Sequence, residues 1–456
     1  MAKARTIVFF HPDLGIGGAE RLVVDAAVGL QRLGHRVVIY TNHCDAKHCF
    51  DECRNGTLQV RVGGNSIFPP SFASRLSILC ALARHLHLVF STTAEMAALA
   101  PDAFFVDQLS GGLPLLRHLY PSVPILFYCH YPDLLLVRGR ASWLKRAYRV
   151  PFDALEEWSM RFAQAVAVNS QFTKSVVQAT WPRLAQSSDL TVVYPCVDTH
   201  SPCPAAQLPF DLEGKIVLSI NRFERKKDIG LAIKAFAALP HAKRRDAHLI
   251  LAGGYDSRVA ENVAYHAQLQ SLATALHLSH QTMHPTDAHA VLDASVIFLL
   301  SISNPTKQAL LSAARCVIYT PANEHFGIVP LEAMLANCPV LAADSGGPVE
   351  TVMPGLSGWL CDPANVDAWT QVLGRVLDMP DNALRKMGQD GAARVKSQFS
   401  RDQMAKTLDK VICHLVHSHS VHETSLPLGV VALWLAALVA LAALAMAPLL
   451  LRSLNH

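Results

Sequence analysis

Residues 316–332 run Cys-Val-Ile-Tyr-Thr-Pro-Ala-Asn-Glu-His-Phe-Gly-Ile-Val-Pro-Leu-Glu. The opening apolar run at Cys316–Thr320 has the β-branched and aromatic content of a buried strand, and a polar turn breaks it. Pro330 suits the N1 position of a following helix, where its missing N–H costs nothing. A strand that passes through a short loop into a helix is the repeating half of a parallel α/β sheet.

The same grammar extends outward from this segment. Upstream and downstream of it, strands are expected at Ile216–Ile220, His248–Ala252, Val296–Leu300 and Val340–Ala343. An earlier series is expected at Thr6–Phe10, Val37–Thr41, Phe104–Val106, Ile125–Cys129 and Ala165–Val168, with the first helix starting after the Gly15–Glu20 turn (GIGGAE). Between the two series, Val197–Gly214 carries three prolines and few periodic apolar positions, as an interdomain connection does. The fold class is therefore α/β: two Rossmann-like, doubly wound domains at 1–200 and 215–417, joined by a linker at 201–214. Two such domains imply a cleft, with ligands beyond the carboxyl ends of the strands.

Composition narrows the function. The 456 residues are 51% hydrophobic and 17% charged, which is rich in apolar side chains for a purely soluble protein. A formal net charge of +4, with no basic stripe interleaved with aromatics, argues against a nucleic-acid partner. Eleven cysteines without a CxxC pair favour a reducing compartment over a disulfide framework. His43, Cys44, His48, Cys49 and Cys53 lie close together, but their spacings match no standard zinc site.

Two segments suggest lipid. Leu426–Leu451 is 26 residues without a charge, enough to cross a hydrocarbon core of about 30 Å, and is expected to be a transmembrane helix. Lys406 and Lys410 before it, against Arg452 after it, place the main body in the cytosol. Leu76–Leu99 is strongly apolar yet contains Arg84, His85, His87 and Glu95; it fits either a domain-core helix or, the favoured alternative, an interfacial one. His277–Ala294 is irregular and histidine-rich, as an insertion loop would be. The N-terminus begins with a short strand, interrupted by His11 and Pro12, and not with a signal peptide.

Four motifs carry chemistry, each after an expected strand. Glu324 and Glu332, eight positions apart, bracket a helix start whose amides suit an oxygen-rich ligand, so one carboxylate can face a sugar and the other a ribose. Asn221–Lys227 (NRFERKK) supplies four basic residues, and a diphosphate leaving group needs fixed positive charge as it departs. His11–Glu20 (HPDLGIGGAE) is a glycine-rich turn that opens a helix, where amides approach a phosphate without a Cβ in the way. Cys129–Asp133 (CHYPD) puts the His130 imidazole at a strand end. No Asp-x-Asp occurs in the chain, so the usual carboxylate pair for a metal-bound diphosphate is missing, and Arg222 and Lys227 would replace the metal.

Together, in this order, the four motifs resemble the retaining glycosyltransferases of family four, which have the GT-B fold. The resemblance covers nearly all of residues 5–400. It implies that Glu324, Phe326, Gly327, Ile328 and Glu332 contact the donor, that Arg222 and Lys227 hold its diphosphate, that Gly17 and Gly18 lie against a donor phosphate, and that His130 lines the sugar site. Glu324, Lys227, Arg222 and His130 are then the candidate catalytic residues. Whole phrases such as FYCHYPDLLL, SINRFERKK and NEHFGIVPLEAM are similar to the eukaryotic branch that adds the second and third mannoses to dolichol-linked oligosaccharide in asparagine-linked glycosylation. That branch implies GDP-mannose as donor, no resident cofactor or catalytic metal, an N-terminal acceptor domain and a C-terminal donor domain. It also implies a place in the endoplasmic reticulum membrane with the catalytic domains cytosolic, and other glycosyltransferases of the pathway as partners. Transfer of another sugar to a lipid, or a silent membrane scaffold, remain alternatives on residue chemistry alone.

Overall fold

Alternating strands and helices build two seven-stranded sheets, one in each of two units. Unit 1 comprises Met1–Tyr194 with the segment from Arg401 onward, and unit 2 is Pro195–Ser400. The computed structural model describes residues 3–71, 77–136, 143–199, 212–283 and 294–419, with positions 208, 210 and 429.

In unit 1 the strands are β1 (Thr6–Asp13), β2 (Arg36–His43), β3 (Gln59–Val62), β4 (Ala103–Asp107), β5 (Ile125–Cys129), β6 (Ala165–Val168) and β7 (Asp189–Val192). Every pairing is parallel, in the order β3-β2-β1-β4-β5-β6-β7. In unit 2 they are β8 (Lys215–Ile220), β9 (Ala247–Gly253), β10 (His280–Met283), β11 (Val296–Leu300), β12 (Cys316–Tyr319), β13 (Val340–Ala343) and β14 (Gly358–Cys361). These too are all parallel, in the order β10-β11-β9-β8-β12-β13-β14. The winding direction reverses between β1 and β4 in the first sheet and between β8 and β12 in the second, and such switch points open crevices at the carboxyl edge.

The ten strands expected from sequence are all present. The four that sequence patterning missed, β3, β7, β10 and β14, are the edges of the two sheets. Edge strands are half solvated, so QVRV, DLTV and HQTM lack the continuous apolar run of a central strand such as Ala103–Asp107, which is buried at every position, while GWLC is apolar but only four residues long and opens on a glycine. Strand β10 falls inside the stretch expected to be an irregular insertion from His277 to Ala294, whose positions 284–293 lie outside the described residues.

Other expectations change as well. Strand β1 runs on to Asp13, so His11 and Pro12 lie within it, because pairing with β2 continues past Phe10 to His11↔Thr41 and Asp13↔His43. The apolar stretch Leu76–Leu99 forms two helices, Ser77–Ser91 and Thr93–Leu99, and its favoured interfacial placement is replaced by packing in unit 1: Leu82, Leu88, Val89, Met96 and Leu99 are buried. Among the described residues no helix is long and apolar enough to cross a membrane; the expected span Leu426–Leu451 lies outside them, position 429 aside. Unit 2 ends at Ser400 rather than at 417, since helix Arg401–Ser418 packs in unit 1. There Arg401 Nε donates to Asp25 Oδ1 at 2.8 Å, both side chains almost fully buried, and Gly29 leaves just the room that Ala405 occupies. Asp25 also pairs with Arg21 of its own helix, whose Nε donates to Asp25 Oδ2 at 2.9 Å, so the Arg401 contact adds a second cation and links the returning helix to helix Gly18–Arg32.

The helix that carries Glu332, Ile328–Leu335, starts two residues earlier than Pro330 implied. Helix Asp381–Gln398 packs closely against it: Gly391 faces Met334, and a Cβ at Gly388 would lie 1.9 Å from the Asn337 carbonyl oxygen. Gly388→Ala should therefore destabilise the protein by about 1–3 kcal/mol, because the backbone clash outweighs the gain of roughly 1 kcal/mol in helix propensity. A fall in the thermal melting midpoint checks it, and an unchanged or higher midpoint would contradict the close packing.

Candidate active site

In unit 2 the site forms where β8 and β12 part. The loop after β8 tightens into a 3-10 turn at Arg225–Lys227, and Asp228 takes a left-handed conformation (φ 42°) that starts helix Ile229–Ala237. The turn aims Lys227 inward: its Nζ lies 2.5 Å from Glu324 Oε2, with the two side chains 11% and 23% exposed. Thr320, at the end of β12, donates its hydroxyl to the Lys227 carbonyl at 2.7 Å and fixes the turn from below. Arg222 points away from that pair, 63% exposed, and meets Glu224 at 3.1 Å together with Lys226 at 3.3 Å. The structure thus joins Lys227 to Glu324 directly and leaves the Arg222 guanidinium at the solvent-facing rim.

Glu324 is held from three sides. Its carbonyl accepts from the Gly347 amide at 2.7 Å, its carboxylate meets Lys227, and the buried Tyr319 phenol hydrogen-bonds to it. Burial first, then the field and hydrogen bond of Glu324, push the Tyr319 phenol well above its ordinary range, so it stays a donor. Gly327 lies on this ring with φ 87°; a Cβ there would stand 3.2 Å from Tyr319 Cε1. Phe326 is only 3% exposed and its ring sits 5.9 Å from that of Phe399, so a ligand at this position meets backbone rather than the aromatic side chain. Ile328 opens the helix, and Glu332 pairs with Lys307 at 2.7 Å, both about one-fifth exposed. Sequence reasoning overlooked Tyr319, Thr320 and Lys307. The first two end a buried strand directly before the loop, a position that could have drawn attention to them.

Unit 1 gathers a second group where β1 and β4 part. Asp107, the last residue of β4, is fully buried and takes two imidazoles: His11 Nδ1 at 2.8 Å and His130 Nε2 at 2.9 Å. Burial works to raise its pKa, but the two imidazoles more than offset it and hold the carboxyl at about 2. Asp107 was not singled out from sequence, although an aspartate closing the apolar strand AFFVD is an unusual core residue. Gly17 caps helix Gly18–Arg32 with its backbone alone, and a Cβ at Gly18 would meet nothing within 4 Å. Internal packing does not demand glycine at 18.

His130 also lines a pocket of about 490 Å³ in unit 1, bordered by Ala19, Leu82, Gly111, Phe152 and Glu156. Burial raises the Glu156 carboxyl to about 7, while the Asp133 amide donates to it at 3.2 Å. Among the described residues no group of three or more His, Cys, Asp or Glu is arranged to hold a metal ion.

Comparison with known proteins places the chain in a family. The model for "Glycosyltransferase Family 4" matches residues 16–201, and that for "Glycosyl transferases group 1" matches 205–394. The chain is 56% identical to the "Alpha-1,3/1,6-mannosyltransferase alg-2" of Neurospora crassa over 90% of both chains. It is 44% identical to the Saccharomyces cerevisiae protein named "Alpha-1,3/1,6-mannosyltransferase ALG2", covering 89% of this chain and 84% of that one. Among solved structures the fold is like that of sucrose-phosphate synthase from Thermosynechococcus elongatus (TM-score 0.66, 18% identity, 91% of this chain and 100% of that one). It is also like the catalytic domain of starch synthase IV from Arabidopsis thaliana (TM-score 0.67, 14% identity, 91% and 100%). With more than half its residues shared along nine-tenths of a relative's length, the chain belongs to the α-1,3/1,6-mannosyltransferases, within the family-four glycosyltransferases of GT-B fold.

Proposed function

We propose that this chain transfers mannose from GDP-mannose to a dolichol-diphosphate-linked oligosaccharide, adding the second and third mannoses through an α-1,3 and then an α-1,6 linkage, with retention, in protein N-glycosylation. The observation that carries the reading is the Lys227–Glu324 pair at the switch point of unit 2, in a chain of this family. A cation and a carboxylate held side by side at the strand-end loops suit a diphosphate and the sugar attached to it.

Unit 2 is the donor domain. Lys227 and Arg222 neutralise the leaving diphosphate, Glu332 accepts hydrogen bonds from the ribose, and Glu324 orients the mannose hydroxyls, with Gly327 and Ile328 offering backbone amides and Phe326 supporting them from the core. Tyr319 keeps Glu324 turned toward Lys227. Unit 1 is the acceptor domain; Gly17 and Gly18 lie against a donor phosphate and His130 contacts the sugar. As the bond to the diphosphate breaks, positive charge grows on the sugar ring. The acceptor hydroxyl attacks from the same face, and the departing phosphate oxygen takes its proton. The protein's part is charge compensation and alignment.

Leu426–Leu451 anchors the chain in the endoplasmic reticulum membrane with both units cytosolic, where the bilayer presents the lipid-linked acceptor. Other glycosyltransferases of the pathway are the expected neighbours.

Purified protein incubated with labelled GDP-mannose and a one-mannose dolichol-type acceptor should yield both linkages. Lys227→Ala and Glu324→Ala should each lower the turnover by about 10²–10³ while the melting midpoint stays close to that of the unaltered chain. Wild-type turnover in either folded variant would remove these residues from the chemistry. Deleting Leu426–Leu451 should release the protein from liposomes in flotation; continued flotation would assign membrane attachment to another part of the chain.

A further inference from the structure

We infer that His11 is a buried imidazolium whose charge balances Asp107 and thereby keeps His130 uncharged, so that His130 offers an unprotonated Nδ1 as acceptor for a hydroxyl of the transferring sugar. His11 and Asp107 are then positioning residues for His130, and the inference rests on the proposal that His130 contacts the sugar.

The geometry fixes the protons. His11 is 1% exposed, and both its ring nitrogens face acceptors: Nδ1 the Asp107 carboxylate at 2.8 Å, Nε2 the Asp13 carbonyl at 3.2 Å. A neutral imidazole has one N–H, so only the doubly protonated ring satisfies both contacts. His130 differs. Its Nε2 faces Asp107 at 2.9 Å, and among the described residues no hydrogen bond engages its Nδ1, so one proton, on Nε2, suffices.

Charge accounting agrees. Asp107 is fully buried, and the groups that offset its burial are His11 and His130, with no lysine or arginine among them. A buried carboxylate needs a partner charge, and one imidazolium supplies it; two would leave the core net positive. The remaining neighbours do not replace it. His85, on helix Ser77–Ser91, is buried with both ring nitrogens unpartnered, and burial lowers its pKa to about 4. The Asp13 carboxylate is taken by Arg84 at 2.9 Å, while Glu20 adds negative potential at His11. Burial opposes charge on His11, but the field and hydrogen bond of Asp107 prevail and raise its pKa.

The sign of the pH dependence follows. With a folded value above the unfolded one, His11 contributes stability that is fully present below about 6.5 and is lost as pH rises through the folded value. His11→Asn keeps an N–H for Asp107 and removes the charge. The unbalanced carboxylate then draws a proton onto His130, turning Nδ1 from acceptor to donor.

Mannose transfer by the full-length His11→Asn variant should stay near that of the unaltered chain at pH 8.5 and fall about tenfold further than it on going to pH 6, a shift of the acid limb by about one unit. The double variant His11→Asn/Asp107→Asn has no carboxylate to balance, and its acid limb should return to that of the unaltered chain. An unshifted limb in the single variant, an equal loss at every pH, or a shift that persists in the double variant would each overturn the inference. Melting midpoints between pH 5.5 and 9 test the charge pair without reference to turnover. Measured in chains that also carry His130→Asn, so that no second imidazole can take the proton, the advantage of His11 over His11→Asn should shrink as pH rises, and a constant difference would sink the pair even if no mannose is transferred. Failure of the unaltered chain to transfer mannose, with that shrinking advantage intact, would count against the functional reading alone.

Discussion

Parallel pairing dictates where this protein can put its chemistry. When all strands of a sheet run the same way, every strand-to-helix loop emerges at one edge, and the loops part only where the winding direction reverses. In unit 1 that happens between β1 and β4, and in unit 2 between β8 and β12. The four motifs use this edge: the glycine-rich turn follows β1, His130 follows β5, the basic loop follows β8, and the two glutamates follow β12. Residues separated by nearly a hundred positions, such as Lys227 and Glu324, meet because β8 and β12 are neighbours.

The loops alone would not hold these side chains still. Unit 2 does it with strand-end residues beneath the site: Thr320 fixes the turn that aims Lys227, and Tyr319 supports both the Gly327 backbone and the Glu324 carboxylate. The approach of helix Asp381–Gln398 at Gly388 and Gly391 sets the height of the helix carrying Glu332. Unit 1 uses a different device, one buried carboxylate shared by two imidazoles. In both units a buried charge is matched by an opposite one close by, as at Asp25 and Arg401, because the interior penalises an unmatched charge more than it rewards a matched one.

By itself the sequence determined the fold class, ten central strands and the strand-end loops that carry the four motifs, because those features are local. A buried parallel strand announces itself as a continuous apolar run, and a glycine turn or basic loop is contiguous in the chain. Edge strands β3, β7 and β10 escaped because half-solvated backbone needs no such run, and β14 because four residues opening on a glycine are too short to stand out. Only tertiary structure decided the rest. The pairing of Asp107 with His11 and His130, the Lys307 contact with Glu332, and the return of helix Arg401–Ser418 to unit 1 each join residues far apart in the chain. A partner chosen by packing in space leaves no periodic signal along the chain.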